Sequence, residues 1–358
     1  MKKISVPALL TLFAIGTVIA AQFEFIDLYV QTIMMFIGVN IILSSSFNII
    51  NGYMGEFACG HAGFMAVGAY VTSVLNIMLF TNSKTFGEPL LSPELALYFF
   101  PVTMIIGGVA AAIAGVLVAI PSFKTRDDYL AIITLAANFI IVSMLINMDS
   151  VGGARGFMGM KQIIFLMEDV AFLPWMLIWT FVFTYLVVFL IRRFVSSTYG
   201  KGIIAIHQDE IASEIMSVNT DKMKLVAFMF SSGLAGIAGG LFAHILGYIN
   251  PNSFNILKST ECLVMVYLGG MGSLSGSIIS AILFTLLIEG LRFVIPAADT
   301  LIHFFPLVPE TFHLSQVLKW VIIPFILVIL MQFRPEGIMG NRELSDFFPK
   351  LKKFYEFK

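Results

Sequence analysis

The chain has 358 residues, of which 58% are hydrophobic and 12% charged, with a formal net charge of −1. Soluble domains carry about 25% charged residues, and a mean hydropathy of +0.93 leaves too little polar surface to cover a globule in water. The composition therefore excludes a soluble enzyme, a nucleic-acid-binding domain and a disordered scaffold, and it predicts a membrane protein.

Apolar runs that could cross a bilayer recur along the whole chain, and each needs about 20 residues to do so as a helix. The tract 261–295 is too long for one helix, and the glycines and serines at 269–276 divide it into a short helix and a full one. The sequence lacks the period-two alternation of a membrane barrel. We therefore predict one all-α domain over residues 1–358, a polytopic inner-membrane bundle of about ten spans: 5–21, 28–50, 56–80, 95–120, 129–148, 173–191, 225–247, 261–270, 274–295 and 317–333.

The first apolar run follows Met1, Lys2 and Lys3, so it resembles either a cleaved signal peptide or a retained first helix. The run is long for a signal peptide, and the cleavage-site pattern at Ala20 and Ala21 is weak. We predict that it is retained as a membrane helix.

Basic residues predict the orientation, because lysine and arginine in short loops favour the cytoplasmic side. On the ten-span arrangement, 15 of the 21 basic residues fall on the side that holds the N-terminus. We predict that both termini are cytoplasmic. The short basic tail, about 334–358, carries Lys350, Lys352, Lys353 and Lys358 and is expected to contact membrane lipid, with no role in binding nucleic acid.

The longest polar segment between spans, about 192–224, predicts a short amphipathic helix on the cytoplasmic surface. Asp209 can cap its start, and Glu210 suits its first turn. An apolar stripe follows, made of Ile211, Ala212, Ile215, Met216 and Val218. This stripe could lie on lipid or in the groove of a protein partner. A lipid-bound helix would carry lysine or arginine on its polar face, whereas this one carries Glu210 and Glu214, so we favour the protein partner.

The same segment resembles the coupling loop of ABC importer permeases of the branched-chain amino acid (LivM-type) family, which reads D-E-x-A-x-E-x-x-G-I-N. The matching residues are Asp209, Glu210, Ala212, Glu214 and Asn219. Ser217 stands where the family favours glycine, so we expect a differently shaped turn there. Further similar stretches are GYMGEFACGHAGFMAVGAY from Gly52, RDDYLAIITL from Arg126, VGGARGFMGM from Val151, YLGGMGSLSGSIISA from Tyr267 and FRPEGIMG from Phe333.

The resemblance implies a transport subunit in a bacterial inner membrane that carries out no chemistry itself. Its partners would be a second related permease, two cytoplasmic ATPase subunits that hold ATP and Mg, and a periplasmic substrate-binding protein. The sequence itself agrees that ATP would be held on separate subunits, because this chain contains no G-x-x-x-x-G-K-[ST] nucleotide loop. We expect no cofactor, metal or catalytic residue in this chain. Branched-chain amino acids lead as substrates, and urea, short amides and other amino acids stay open.

Two glycine-rich interruptions predict the substrate path, because broken helices free backbone groups that can contact a polar solute. The first contains Gly52, Gly55, Glu56, Gly60, His61 and Gly63, and the second contains Gly269, Gly270, Gly272 and Ser273. Close helix packing also needs small residues and is the alternative for both. Glu56 and His61 are candidates for a substrate or gating role. The alternatives are a carboxylate at the cytoplasmic end of its span and an imidazole that bonds a helix backbone.

The competing function is an ion-coupled secondary transporter, which would also have about ten helices and no nucleotide site. Such a protein should carry several acidic residues in the middle of its helices. Outside the loops the candidates are Glu56, Glu261 and Glu289, and we expect all three near helix ends. The predicted coupling loop therefore favours the ABC permease.

Overall fold

A computed structural model describes residues 6–83, 85–123, 129–302, 315–334, 336–340 and 342–347. Within these residues the chain forms fourteen α-helices and one two-stranded sheet. The helices are α1 (Val6–Gln22), α2 (Leu28–Asn48), α3 (His61–Phe80), α4 (Ala96–Ser122), α5 (Tyr129–Ile146), α6 (Met160–Val170), α7 (Trp175–Ser196), α8 (Thr198–Gln208), α9 (Glu210–Ile215), α10 (Thr220–Leu246), α11 (Ile256–Gly269), α12 (Leu274–Ile302), α13 (Lys319–Phe333) and α14 (Leu344–Phe347). The strands β1 (Phe157–Met158) and β2 (Tyr248–Ile249) pair antiparallel.

The predicted all-α membrane bundle is confirmed, but the count of about ten spans is not. In the described part of the chain, seven helical segments are long and apolar enough to cross a membrane, and they are built on α2, α3, α4, α5, α7, α10 and α12. The other three predicted spans correspond to the shorter helices α1, α11 and α13. The tract 261–295 divides as predicted, because α11 ends at Gly269 and α12 begins at Leu274.

Helices α2, α3, α4 and α10 pack together in the centre of the bundle. Small residues allow α10 to approach its neighbours at backbone distance. A Cβ atom added to Gly68 would overlap the backbone of Gly236, and one added to Gly239 would overlap the carbonyl of Met65. Since lipid offers no hydrophobic force between helices, such close backbone packing is a main source of stability in the membrane.

The first glycine interruption is a break within the bundle. Helix α2 continues as a π-helix, Ile49–Tyr53, and the chain then has no helical structure until His61 begins α3. His61 Nε2 lies 2.9 Å from Oγ of Ser46, a residue that precedes Tyr53 by about two helical turns, or roughly 10 Å. The segment 54–60 therefore turns back along α2, and α3 begins inside the bundle.

The connections gather at two ends of the bundle. One end, which we call the α9 end, holds α8, α9, the segment 54–60, the turn 270–273 and residues 336–340 and 342–347. The opposite end, the sheet end, holds β1 and β2, where the Tyr248 hydroxyl donates a hydrogen bond to the Arg155 carbonyl at 2.8 Å.

Basic residues follow this division in part. Arg192, Arg193, Lys201, Lys222 and Lys224 lie between the C-terminal part of α7 and the first turns of α10, on the side of the α9 end. Lys258 lies in the first turn of α11, where its ammonium pairs with Glu261. Other basic residues lie outside the described residues: Lys2, Lys3, Lys84, Lys124, Arg126, Lys350, Lys352, Lys353 and Lys358.

Candidate functional site

The short helix α9 presents an apolar surface to solvent at the α9 end. Asp209 Oδ1 accepts a hydrogen bond from the Ala212 amide at 2.9 Å, so the predicted N-cap is confirmed. The largest exposed side chains of this surface are Ile211, Ile215 and Met216, which are 72%, 77% and 78% exposed. Apolar side chains this exposed and contiguous are characteristic of a surface that binds a partner.

Helix α9 ends in a turn that usually has glycine in the left-handed conformation, although the residue at that position in this chain is serine. Ser217 has a φ of +64°, in the left-handed region. Its amide donates to the Glu214 carbonyl at 2.9 Å, and the Val218 amide donates to the Ser213 carbonyl at 3.1 Å. This pair of hydrogen bonds defines the Schellman motif, which ends a helix and usually has glycine at this position. The replacement of glycine was expected to change the turn, but the serine occupies the glycine conformation.

Lys224 connects α9 with the first glycine interruption. Its Nζ atom lies 2.7 Å from Glu56 Oε1 and 2.8 Å from Glu210 Oε1. The side chains of Lys224 and Glu56 are only 8% and 12% exposed, whereas Glu210 is 38% exposed. The structure thus joins a predicted path residue to a predicted coupling residue through a lysine that sequence reasoning missed. The available signal was a lysine at the start of an otherwise apolar span.

A second contact strengthens the junction between α9 and α10. The Thr220 hydroxyl donates to Glu214 Oε1 at 3.0 Å, and the Asn219 side chain caps α10 by accepting from the Lys222 amide at 2.9 Å. Both glutamates of α9 therefore bond to the first turns of α10. This arrangement allows α9 and α10 to move together.

The two glycine interruptions meet at Asn48, near the end of α2. The side-chain amide of Asn48 donates to the Ser273 carbonyl at 2.9 Å and to Oγ of Ser277 at 2.8 Å. Its Oδ1 accepts from the Gly272 amide at 3.0 Å. Asn48 is fully buried and was not among the predicted site residues. A polar residue in an apolar span, just before a glycine interruption, was the signal that could have found it.

Close contacts surround the predicted path glycines. A Cβ atom on Gly60 would overlap the Thr134 carbonyl, and one on Gly270 would lie 2.6 Å from the Gly340 carbonyl oxygen. Comparable contacts, all closer than 3.0 Å, surround Gly52, Gly55, Gly63 and Gly269. The turn needs glycine conformationally as well, since Gly270 has a φ of +111°. Close packing, one of the two predicted roles, is therefore observed, and a place in the substrate path stays a prediction.

Side chains from neighbouring helices satisfy the backbone of the first interruption. The Cys59 amide donates to Oγ1 of Thr134 at 3.0 Å, and the Ala62 amide donates to Oγ of Ser259 at 3.1 Å. His61 is buried, with its ring 4.8 Å from that of Phe47. Because unpaired backbone groups are costly in the membrane, these bonds make the non-helical segment stable inside the bundle.

The second interruption is held by the segment that follows α13. The amides of Ile338 and Met339 donate to the carbonyls of Leu268 and Gly269, at 2.9 and 3.0 Å. Glu343 then caps α12, since its carboxylate accepts from the amides of Leu274 and Ser275 at 2.7 and 3.1 Å. A carboxylate at a helix N-terminus is also favoured by the helix dipole. The first part of the predicted C-terminal tail therefore packs on the bundle.

Two acidic residues lie deeper than expected. Glu261 and Glu289 were predicted near helix ends, but they lie in the interiors of α11 and α12. Glu261 Oε2 is 2.7 Å from Lys258 Nζ, and Glu289 Oε2 accepts a hydrogen bond from the Tyr29 hydroxyl at 2.6 Å. Within the described ranges, no group of three His, Cys, Asp or Glu side chains is arranged to hold a metal ion.

Comparisons with known proteins place residues 29–331 in one family. The family model that matches them is described as "Branched-chain amino acid transport system / permease component". The chain is 32% identical over 276 residues to the high-affinity branched-chain amino acid transport system permease protein LivM of Escherichia coli (strain K12), covering 70% of this chain and 61% of that protein. The LivM protein of Salmonella typhimurium is 30% identical over the same shares. The chain thus spans about three fifths of these relatives, 61% of each.

A more distant similarity concerns a related permease. The high-affinity branched-chain amino acid transport system permease protein LivH of Escherichia coli (strain K12) is 25% identical over 149 residues, which covers 42% of each chain. No solved structure matches this chain.

Proposed function

Because this chain belongs to the branched-chain amino acid transport permease family, we propose that it is the membrane-spanning subunit of an ATP-driven importer. Its substrate would be a branched-chain amino acid or a related small polar solute, delivered by a periplasmic binding protein at the sheet end. The bundle would lie in a bacterial inner membrane, with the α9 end and both termini in the cytoplasm. ATP and Mg would bind to separate ATPase subunits.

A bundle of ten spans is part of this proposal. The seven long apolar segments and the three shorter helices α1, α11 and α13 together make ten. α11 has 14 residues and extends about 21 Å, less than the hydrocarbon core of about 30 Å. The turn 270–273 and the segment that follows α13 would occupy the remaining thickness of the membrane beyond the C-terminal end of α11. Non-helical backbone is tolerated at membrane depth where protein covers it.

The exposed apolar surface of α9 is the observation that carries the ATP-driven mechanism. Ile211, Ile215 and Met216 project at one end of the bundle, next to the acidic side chains Glu210 and Glu214. An amphipathic helix of this kind fits an apolar groove in a protein partner. Two such subunits, this chain and a second permease similar to LivH, would each contact one ATPase subunit.

The ion pairs of Lys224 supply a physical link from the ATPase to the substrate path. ATP-driven closure of the ATPase subunits would displace α9, and Glu210 would transmit that displacement to Lys224. Lys224 also holds Glu56, so the segment 54–60 would move with it. Because a packed interface has discrete arrangements, such a movement can switch the bundle between outward-open and inward-open states.

Ion-coupled transport is the second candidate, and the depth of Glu261 and Glu289 favours it. Intramembrane carboxylates are typical of proton and sodium pathways. Here both carboxylates have partners that reduce their availability to a coupling ion, Lys258 for Glu261 and Tyr29 with Arg292 for Glu289. The ABC importer therefore remains the better supported function.

The decisive experiment measures the energy source of transport. The tagged chain is purified from its native membrane with the subunits that copurify, and the complex is reconstituted in proteoliposomes. We expect transport of radiolabelled leucine to require ATP and to persist when ionophores collapse the proton and sodium gradients. Transport that follows an ion gradient without ATP would refute the proposal and support the ion-coupled alternative.

A further inference from the structure

A cavity of about 210 Å³ lies between α2, α10, α11, α12 and α13, apart from both glycine interruptions. Its polar floor is formed by Asn40 and Thr285, where the Asn40 amide donates to the Thr285 hydroxyl at 2.9 Å. Asn40 lies midway along the 26-residue span Leu28–Tyr53. The floor of the cavity is therefore near the middle of the bilayer, the depth at which transporters commonly bind their substrates.

The cavity extends from this floor toward the sheet end. Glu289 lines it one helical turn above Thr285, and the carboxylate of Glu289 accepts from the hydroxyl of Tyr29. Tyr29 is the second residue of α2, at the sheet end of that helix. Under the proposed orientation, the cavity is accessible to a solute that arrives from the periplasmic side.

One wall of the cavity carries an ion pair. Lys258 Nζ lies 2.7 Å from Glu261 Oε2, and the two side chains are 15% and 13% exposed. Charged residues inside a membrane bundle are costly, and when they occur they usually mark a substrate or ion pathway. A buried ion pair also adds little stability compared with apolar residues of the same volume. Fold stability alone therefore does not explain why this pair is here.

Apolar side chains form much of the remaining lining. Phe36 and Phe242 line the cavity on one side and Ile288 and Ile323 on another. The Lys258 ammonium lies 5.3 Å from the centre of the Phe242 ring, so the charged and apolar surfaces adjoin. The lining also includes Lys319 and Glu289, so the cavity combines two cations, two anions and an aliphatic-aromatic surface. Its volume is below the roughly 300–1,000 Å³ of drug-sized ligand sites.

We propose that this cavity is a binding site for an α-amino acid with an aliphatic side chain. Lys258 donates to the ligand carboxylate, Glu261 accepts from the ligand ammonium, and the side chain packs against Phe36 and Phe242. The zwitterion inserts into the existing ion pair with no change in net charge, so neither protein charge loses its partner. The inference rests on the proposed function for its substrate class.

Direct ligand binding to the full-length chain in lipid nanodiscs tests the site. Saturation-transfer NMR at millimolar concentrations compares three probes: L-leucine, 4-methylpentanoate, which lacks the ammonium, and isopentylamine, which lacks the carboxylate. We expect each single-charge probe to bind at least about tenfold more weakly than leucine, a factor that corresponds to about 1.4 kcal/mol.

Two variants should each weaken the binding of a different pair of probes, a crossed pattern that misfolding would not produce. Lys258→Met should weaken the binding of leucine and of 4-methylpentanoate at least about tenfold and leave the binding of isopentylamine unchanged. Glu261→Gln should weaken the binding of leucine and of isopentylamine and leave the binding of 4-methylpentanoate unchanged. Lys161→Gln and Asp169→Asn, which neutralise exposed charges of α6, serve as matched controls and should change none of the three. Equal effects on all probes, no effect on any probe, or no leucine binding to the unmodified chain would overturn the site.

Transport by the reconstituted complex separates this inference from the proposed function. If the unmodified complex transports leucine with ATP, and the Lys258→Met and Glu261→Gln complexes transport it at the same rate, the function stands and the site is wrong. If the unmodified complex transports no branched-chain amino acid, the proposed function fails, and the crossed binding pattern still decides whether the cavity recognises amino acids.

Discussion

The ammonium of Lys224 lies 2.7 Å from the carboxylate of Glu56, inside the bundle and next to the non-helical segment 54–60. The same ammonium contacts Glu210 in α9, at 2.8 Å. One side chain therefore connects the surface helix α9 with the non-helical segment that follows Leu28–Tyr53, the most buried of the seven long apolar segments. This relation makes the mechanical part of the proposed function testable by substitution.

Lys224→Met should destabilise the chain, because it leaves the Glu56 carboxylate without its cation in a site that is only 12% exposed. Removing one partner of a buried pair costs roughly 3–5 kcal/mol. Thermal unfolding in nanodiscs should show a lower midpoint for Lys224→Met, and the double variant with Glu56→Gln should recover part of the loss. The control is Lys222→Met, since Lys222 is exposed in the same helix. Equal unfolding midpoints for Lys224→Met and Lys222→Met would show that the ion pair with Glu56 does not stabilise the chain.

Met216→Asp and Ile215→Asp should each abolish the binding of the ATPase subunits. The two side chains are 78% and 77% exposed, so the folded chain tolerates the charge, whereas a charge in an apolar groove of the partner stays unpaired. Copurification of ATPase subunits with the tagged chain is the measurement. Leu90→Asp is the matched control, because Leu90 is a 62% exposed apolar residue away from the α9 end. If both α9 variants copurify the ATPase as well as the control does, α9 does not dock in a protein groove.

Ser217→Gly should stabilise the end of α9, because a side chain in the left-handed conformation costs roughly 1–2 kcal/mol. Glycine has more conformational entropy in the unfolded chain, which offsets part of this effect. We therefore expect the free energy of unfolding to rise by about 1 kcal/mol. Hydrogen exchange of the α9 amides should slow about fivefold. Ser213→Gly, in the interior of the same helix, should have the opposite effect. Faster exchange in Ser217→Gly would contradict the backbone conformation described for this turn.

Asn48→Ala should loosen the junction of the two glycine interruptions. It removes both partners of the 270–273 turn, the acceptor for the Gly272 amide and the donor to the Ser273 carbonyl. The Ser273 carbonyl still accepts from the amide and the hydroxyl of Ser277, so the group left unpaired is the Gly272 amide. An unpaired group of this kind costs about 1–3 kcal/mol, so the unfolding midpoint should fall below that of Asn147→Ala. Asn147 is exposed and bonds only within its own helical segment, to Ser143. A similar midpoint for the two variants would show that the Asn48 contacts are not needed.

Cysteine labelling tests which end of the bundle faces the cytoplasm. Met158 and Met216 are 68% and 78% exposed and lie at the sheet end and the α9 end. In a background with Cys59→Ala and Cys262→Ala, a membrane-impermeant maleimide on intact cells should label Met158→Cys alone. After permeabilisation it should label Met216→Cys as well. Labelling of both in intact cells would reject the proposed orientation.

Much of the fold was predictable because the relevant signals are local. The length of an apolar run determines whether a helix can span the bilayer, and the glycines near 270 mark in the local sequence where α11 ends and α12 begins. The cap formed by Asp209 was predictable for the same reason, since its acceptor and donor lie within one helical turn. The left-handed turn at Ser217 was not, because serine does not require that conformation.

The composition and the order of apolar runs determined by themselves that this chain is a helical membrane bundle with two glycine-rich interruptions and a surface helix. Only the tertiary structure decided that Asn48 joins the two interruptions, that Lys224 links Glu56 with Glu210, and that Lys258 and Glu261 lie in a cavity with Asn40. Apart from Lys258 and Glu261, which share α11, these partners come from separate segments of the chain, so their meeting depends on how each helix is rotated and how closely it packs. That information is carried by the whole set of interhelical contacts and by no single stretch of sequence.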